Sequence, residues 1–447
     1  MKIKSIMEIP KKSQKIDKSN LVLVIGSGAA GLAAMSNLQK FGVPFDCIEK
    51  NLDTGGIWDY SNPENPIYES THFISSSKLS GFPDFPMPND FPDYPSHKLV
   101  IKYLRDYTKF LGIKDKIEFG TKVMNIKPIG DLWEVRLDNN DIRLYGSIII
   151  ATGHNWDPKF PNYPGEKNFK GEIMHSLKYK TPSIFKDKRV LILGAGNSGC
   201  DIAVEAALNS KKTFLSLRRG YFFLPKHIFG VPADRIGEIF SKLRTPIWIR
   251  QIFDSILLKL LYGDYKRLGV PKPDHKLYES HPVINSLLFY YLSHGEIEIK
   301  PDVSKFTASG VEFTDGSVED TDLVIYATGY KYSYPFIEKE LLDWDETYPR
   351  LFAHFFSHKF DNLFMIGLYV NDGSFNIPAY YQSEIVAKYL KNKLNKNYKK
   401  NEKFLNRIRK ENKNISGGVK YMRNERHKAA VKHFVYINYL KSLSKKI

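Results

Sequence analysis

An α/β architecture made of two parallel-sheet units, one inserted into the other, is predicted by three observations. The apolar run LVLVI at 21–25 leads straight into the glycine turn GSGAAG. The same arrangement recurs from 189 onward as RVLIL and GAGNSG. Two later apolar runs, SIIIATG at 147–153 and DLVIYATG at 322–329, stop alike at Thr and Gly. An unbroken apolar run bounded by a glycine turn, with a helical pattern behind it, marks a strand buried on both faces of a parallel sheet.

The chain has 447 residues, 42% hydrophobic and 26% charged, which is material for about three domains of ordinary globular character. No apolar run approaches the ~18 residues that a membrane-spanning helix needs. Two cysteines, Cys47 and Cys200, exclude a disulfide framework, a CxxC redox pair and a thiolate zinc site, and suit a reducing compartment. The N-terminal stretch MKIKSIMEIPKKSQKIDKSN has lysines but no continuous apolar core. Residues 1–20 therefore read as a flexible extension rather than a secretory signal, and a cytoplasmic location is expected.

The net charge of +17 is concentrated at the ends. Residues 391–447 hold 18 Lys or Arg against 3 Glu, and residues 1–20 hold 6 Lys against 2 acids, which leaves the body at −2. No basic groove runs through the fold, so nucleic acid is not an expected partner. The basic C-terminal tail reads as a lysine-rich solvated surface in preference to a polyanion or lipid docking site. Its last residues, KHFVYINYLKSLSKKI, are too short and too often interrupted by lysine for a transmembrane anchor. At most they form a basic amphipathic helix on a membrane surface.

In the first unit, Gly26 permits the tight turn, Gly28 lets backbone approach a pyrophosphate, and Gly31 lets the helix pack on the strand. The helix presents its N-terminal amides to phosphates and is expected to end at Gly42, before Pro44. FDCIE supplies the second strand and ends in Glu49, 23 positions past Gly26. That is close to the ~20 at which an acid hydrogen-bonds a ribose. The second unit repeats the pattern with Gly194, Gly196 and Gly199, the helical run DIAVEAAL and the strand TFLSL. Where the first unit has Glu49, it has Arg218, 24 positions past Gly194, with Arg219 beside it. A carboxylate there would repel a 2′-phosphate, whereas a guanidinium binds it, so this unit is read as an NADPH site. The alternative is a solvent-facing arginine pair at a strand end.

Proline-rich and aromatic connectors, HNWDPKFPNYPG after Gly153 and YKYSYP after Gly329, follow the two ATG ends. The economical organisation is an FAD-binding domain in two segments, 1–181 and 321–447, interrupted by an NADPH-binding domain at 182–320. Two such sites in one chain suggest a flavoprotein that takes hydride from NADPH. The paired His354 and His358 lack an HExxH glutamate, and no metal is expected.

Residues 169–180, FKGEIMHSLKYK, match FxGxxxHxxxYK at Phe169, Gly171, His175, Tyr179 and Lys180. With the glycine turns, GGIW at 55–58, SSSKLSGFPDFPMP, GNSGCD and ATGY, the body of the chain resembles the flavin-containing monooxygenases, class B flavoprotein monooxygenases. The resemblance implies two Rossmann-like domains and a cycle in which NADPH reduces FAD. Oxygen then adds at the flavin C4a position to give a hydroperoxide, and a soft nitrogen or sulfur nucleophile of a small molecule takes the distal oxygen. FAD, NADPH and O2 are thus the expected cofactors and co-substrate, with a homodimer as the candidate assembly. Gly56 and Trp58, Thr152 and Thr328, Asn197 and Ser198, and Gln382 join the glycines, Glu49, Arg218 and Arg219 as expected cofactor contacts. Asn371 and Asp372 are further flavin neighbours on this reading, and a capped surface helix is the alternative for this stretch and for Gln382. His175 is read as an organiser of domain geometry rather than a proton-transferring base.

One departure concerns Ser75. The family commonly has an asparagine at this place, against flavin and nicotinamide ribose, and serine offers one donor on a shorter arm. Uncoupled NADPH oxidation with release of hydrogen peroxide is the consequence to look for. A Baeyer–Villiger ketone oxygenase is the rival activity; its fingerprint typically has Trp where this chain has Tyr179.

Overall fold

The computed structural model describes residues 15–410, 415–423 and 425–447. The first fourteen residues of the expected extension lie outside them. Two sheets organise the chain, the first mixed around a parallel centre and the second parallel throughout.

The first is a nine-stranded sheet in which Lys15–Ile25 lies between Phe45–Ile48 and Ile142–Ile150, with Ile117–Glu118 beyond the former and Leu363–Met365 beyond the latter. Leu23, Val24, Ile148 and Ile150 are fully buried at its centre, as an unbroken apolar strand requires. The strand expected at 21–25 begins at Lys15, so residues 15–20 are ladder rather than flexible extension. Their polar side chains hid the strand, yet Lys15 pairs with Glu134 at 2.6 Å and Lys18 with Asp46. A register shift between Lys18 and Val22 brings Ser19 O so close to Gly146 that a Cβ there would stand 2.4 Å away. The first helix, Ala29–Lys40, stops before Gly42, whose φ is +60°.

The second sheet has five parallel strands in the order Ile297–Lys300, Lys212–Ser216, Arg189–Leu193, Leu323–Tyr326, Glu172–His175. A domain cut at 182 and 320 would remove its last two strands. The loop after Gly153 follows a strand of the first sheet and the loop after Gly329 follows Leu323–Tyr326 of the second, but the chain enters the second sheet at Glu172, ten residues ahead of the expected boundary.

The C-terminal region also differs from a solvated tail. Helix Asn376–Leu394 packs on Ala29–Lys40, and a final helix, His433–Ser444, packs on Asn376–Leu394. Tyr436, Leu440 and Leu443 are fully buried there, each contributing about 1.5–3 kcal/mol. Lys441, Lys445 and Lys446 stay exposed beside these anchors, which is why composition alone suggested a solvated surface. Among the described residues no helix is long and apolar enough to cross a membrane.

Candidate functional site

At the first glycine turn, Gly26 has φ +103°, and a Cβ on it would lie 2.8 Å from Ala151 O. A Cβ on Gly31 would lie 1.9 Å from Gly26 O, so the helix sits directly on the end of its own strand. Gly28 precedes the helix without any side-chain cap, leaving the first-turn N–H groups for an anion. Gly56, at φ +56°, crosses close above: a Cβ on Gly28 would stand 3.3 Å from Gly56 Cα. Trp58 closes that short turn against Phe73, ring centroids 4.7 Å apart. Glu49 is buried, and its carboxylate accepts from Ser27 N at 2.6 Å, Ser27 Oγ at 3.1 Å and Asn51 N at 2.9 Å. Beside the turn, Thr152 Oγ1 is buried without a partner. A glycine cradle, a pinned carboxylate and an orphaned hydroxyl on one sheet edge suit the diphosphate and ribose of FAD.

The second turn reproduces these distances. Gly194 has φ +102° with Ala327 O 2.9 Å from a Cβ, and Gly199 would meet Gly194 O at 1.9 Å. Gly196 differs from Gly28: nothing lies within 4 Å of a Cβ there, so this turn is open above. Ser198 is exposed in the first helical turn, whereas Asn197 Oδ1 accepts from Ile284 N at 2.8 Å and holds the neighbouring strand. The two arginines also part company. Arg218 is exposed and in no ion pair among the described residues, while Arg219 pairs with Asp274 at 2.9 Å and also contacts His275 and Met422. The open turn and Arg218 suit a dinucleotide 2′-phosphate.

The fingerprint joins the two units. His175 is buried, its Nε2 3.1 Å from Gly329 O and its Nδ1 accepting from Leu177 N at 3.1 Å. Burial holds its pKa below the usual imidazole value, against the opposing effect of the Gly329 carbonyl. Both ring nitrogens are committed to backbone, which is the geometry of an organiser. Tyr179 donates to Glu205 on helix Asn197–Asn209, and burial followed by Glu205 keeps its proton on. Lys180 donates to Asn65 O and, at 3.1 Å, to Ile67 O, on the loop that follows Gly56–Trp58. Tyr68, on the same loop, donates to Asp201 at 3.1 Å. Fingerprint and loop thus reach one helix of the second unit. Sequence reasoning missed both: Asp201 has one signal, its place as the acid that ends the GNSGCD run near a helix start, and Tyr68 has none.

The remaining candidates are dispersed. Ser75 Oγ bonds Ser80 Oγ at 2.8 Å, and Ser76 N donates to Asp234 at 2.6 Å. Ser76 Oγ and Asp234 Oδ1 are buried without partners, a juxtaposition no motif announced. Thr328 Oγ1 donates to Lys159 O, beside Gly329. Gln382 is fully buried, accepting from Gly367 N at 3.0 Å and donating to Tyr436 Oη at 2.6 Å, so its amide is spent inside the first unit. Asn371 bonds Ser374 O and His433, and Asp372 pairs with Lys432 and accepts from His433 N. These two residues anchor the C-terminal segment. Burial opposes ionisation of Asp372, but the charges of Lys432 and Arg250 outweigh it and hold the carboxyl well below its usual range. His354 hydrogen-bonds Tyr348, and no group of three or more metal-ligating side chains occurs among the described residues.

A family model described as flavin-binding monooxygenase-like matches residues 19–447. Flavin-containing monooxygenase 5 of Rattus norvegicus is 35% identical over 338 residues, 71% of this chain and 63% of that protein. Flavin-containing monooxygenase 2 of Homo sapiens is 31% identical over 395 residues, 83% and 73% of the two chains. The chain thus spans under two thirds of the rat relative's length. Among solved structures, S-allyl-L-cysteine S-oxygenase from Allium sativum superposes with a TM-score of 0.66 at 19% identity, covering 97% of this chain and 89% of that one. A closed form of cyclohexanone monooxygenase gives 0.68 at 17% identity, covering 97% of each. At such identities the structures speak for the fold alone. The chain belongs to the flavin-binding monooxygenase-like family.

Proposed function

We propose that this protein is an NADPH- and O2-dependent flavin monooxygenase that oxygenates a soft nitrogen or sulfur nucleophile of a small molecule in the cytoplasm. The observation that carries the reading is the pairing of two near-identical glycine turns with opposite charges: a buried Glu49 at one and an exposed Arg218 at the other. The first sheet would hold FAD and the second NADPH. FAD, when bound, supplies two-electron reduction by NADPH and the activation of oxygen.

The chain's own residues do the rest. Glu49, Thr152 and the amides behind Gly28 bind and orient the flavin nucleotide. Arg218, Ser198 and the amides behind Gly196 bind NADPH, its 2′-phosphate at the guanidinium. The bonds of His175, Tyr179 and Lys180 fix the distance between the two, and no side chain need act as a base. A ketone substrate is disfavoured by Tyr179 and Lys180 at the end of the fingerprint. Oxidase behaviour is favoured by one observation: the short Ser75 hydroxyl is already engaged with Ser80.

Anaerobic reduction of the yellow protein by NADPH, then mixing with O2 and amines, sulfides or ketones in turn, tests the reading. Product formation and faster reoxidation with an amine or sulfide are expected. Hydrogen peroxide equal to the NADPH consumed, whatever is added, would replace oxygenase with oxidase, and a colourless protein that refuses FAD would end both.

A further inference from the structure

A line of aromatic rings crosses the first unit from its glycine turn toward its surface. At the inner end, Phe375 and Ala30, the second residue of the helix behind Gly28, crowd Gly367 together. A Cβ on that glycine would lie 2.7 Å from Phe375 Cζ and 3.2 Å from Ala30 Cβ. Tyr369 stacks on Phe375 with centroids 5.4 Å apart, and Tyr436 follows at 5.7 Å. His354 is 6.4 Å from Tyr436, Tyr348 is 6.0 Å from His354, and Tyr332 is 5.1 Å from Tyr348. Each step is ring against ring. Tyr369, Tyr436 and Tyr348 are buried, whereas Tyr332, on the connector after Gly329, is half-buried.

Packing explains the rings but not the hydroxyls, since phenylalanine would fill buried places with no polar atom to satisfy. Tyr369 donates to Phe375 O and Tyr436 to Ala353 O. A carbonyl holds such a proton but does not take it. Tyr348 differs, because its hydroxyl stands 2.6 Å from Nδ1 of His354, a base within proton-transfer reach. Burial keeps that imidazole unprotonated, its pKa pushed down to about 4. His354 sits in the turn between the antiparallel strands Leu351–Phe352 and Phe356–Ser357. There Ala353 has φ +49° and His354 φ +67°, two side-chain-bearing residues in succession in the left-handed region. Glycine at 354 would relieve that strain but could accept no proton, so the strained backbone is kept where imidazole meets phenol.

We propose that these rings relay single oxidising equivalents out of the first unit to a thiol reductant in solution, with the Tyr348–His354 pair as their resting point. The relay rests on the reading that the first unit holds FAD, and it suits a chain whose engaged Ser75 favours release of peroxide. A one-electron oxidant arising in that unit, such as the hydroxyl radical that peroxide and a ferrous ion yield, takes an electron from Tyr369 and becomes hydroxide. Tyr436 refills Tyr369, and Tyr348 refills Tyr436. As Tyr348 loses its electron its O–H bond breaks, and the proton bonds to Nδ1 of His354, leaving a neutral tyrosyl radical beside an imidazolium. A thiol then gives one electron through Tyr332 and its proton to solvent, and His354 returns the phenolic proton. Two thiyl radicals pair to a disulfide.

A blue-light pulse on the flavin-loaded chain tests it, because the excited flavin is then the one-electron oxidant. A neutral tyrosyl radical that outlasts the pulse is expected, read by transient absorbance and electron spin resonance, and 2-mercaptoethanol should shorten its life. Heavy water should slow its formation, since a proton moves with the electron. Tyr348→Phe and His354→Gln should each cut the radical's lifetime by about a hundredfold, as loss of a positioned base implies. Flavin content and the thermal transition should stay unchanged in both. Tyr290→Phe, exposed in the second unit, should leave the signal intact. A long-lived radical in Tyr348→Phe, or a yellow wild-type chain with no radical or no effect of heavy water, would overturn the relay and leave the flavin reading standing. A colourless protein would overturn both.

Discussion

The two glycine turns share their backbone and differ in what surrounds it. Gly26 and Gly194 have φ values within one degree, and the steric gaps at Gly31 and Gly199 are equal at 1.9 Å. Yet the first turn is roofed by Gly56 and ends in a buried, triply bonded carboxylate, whereas the second is open above Gly196 and ends in an exposed guanidinium. A roofed turn suits a dinucleotide that stays bound; an open one suits a dinucleotide that arrives and leaves. Fold geometry is therefore common to both, and the division of labour resides in the few residues around each turn.

The largest effects should come from filling the shared gap. Gly31→Ala and Gly199→Ala each drive a methyl into backbone, which the helix relieves only by lifting off its strand, at about 1–3 kcal/mol or more. Gly31→Ala is expected to be purified without flavin. Gly199→Ala should stay yellow and lose NADPH-dependent reduction by over a hundredfold (stopped-flow absorbance), a margin consistent with ~3 kcal/mol. If both variants lose flavin alike, the two turns are not separable and the comparison fails.

The next effect tests charge. Arg218→Ala should raise the apparent KM for NADPH by about 10–100-fold and leave NADH nearly unchanged, since charge-assisted hydrogen bonds contribute about 1.5–3 kcal/mol. Arg219→Ala should cost less and cost NADPH and NADH equally, because that guanidinium is held by Asp274. Steady-state kinetics with both nucleotides check this; the reverse ranking would give the phosphate contact to Arg219.

These contrasts also mark what was legible in the sequence. Gly26, Gly31, Gly194 and Gly199 were readable because a steric demand of the backbone admits only glycine at fixed spacing. The fingerprint was readable in a different way, through its resemblance to the flavin-containing monooxygenases, and the partners of His175, Tyr179 and Lys180 came only with the fold. Side chains whose role depends on a distant neighbour were not. Arg219 meets Asp274 55 residues on, Asn197 meets Ile284, and Gln382 meets Tyr436, so three expected cofactor contacts turn out engaged by the fold itself. The strand at 15–20 and the buried C-terminal helix were hidden by lysines that share elements with apolar anchors, and an average over composition cannot separate the two.

A smaller effect is expected where the units meet. Tyr179→Phe removes the bond to Glu205 but keeps the ring stacked on Phe185, centroids 5.2 Å apart. Flavin content and NADPH affinity should be unchanged while the rate of hydride transfer falls a few-fold, as loss of one positioning contact implies. Transient kinetics across NADPH concentrations separate the two quantities. A drop in affinity with an unchanged limiting rate would mean that Tyr179 shapes the nucleotide site rather than the distance between sites.

The mildest test is acid. Burial pushes His354 and His433, both in the first unit, down to about 4. Each is neutral in the folded chain and titrates near 6.5 once unfolded. As pH falls below 6.5 the unfolded chain takes up protons that the folded chain refuses, so stability declines until pH reaches about 4 and then levels. His433 accepts from Asn371 Nδ2 at 2.9 Å, with its ring close against Gly373, so the first unit should loosen first. Flavin fluorescence should appear within that window while amide exchange in Arg189–Leu193 stays slow. His433→Gln, which retains an acceptor without titrating, should flatten the slope. Equal loss of protection in both units, or a slope untouched by the substitution, would move the acid sensitivity away from this histidine.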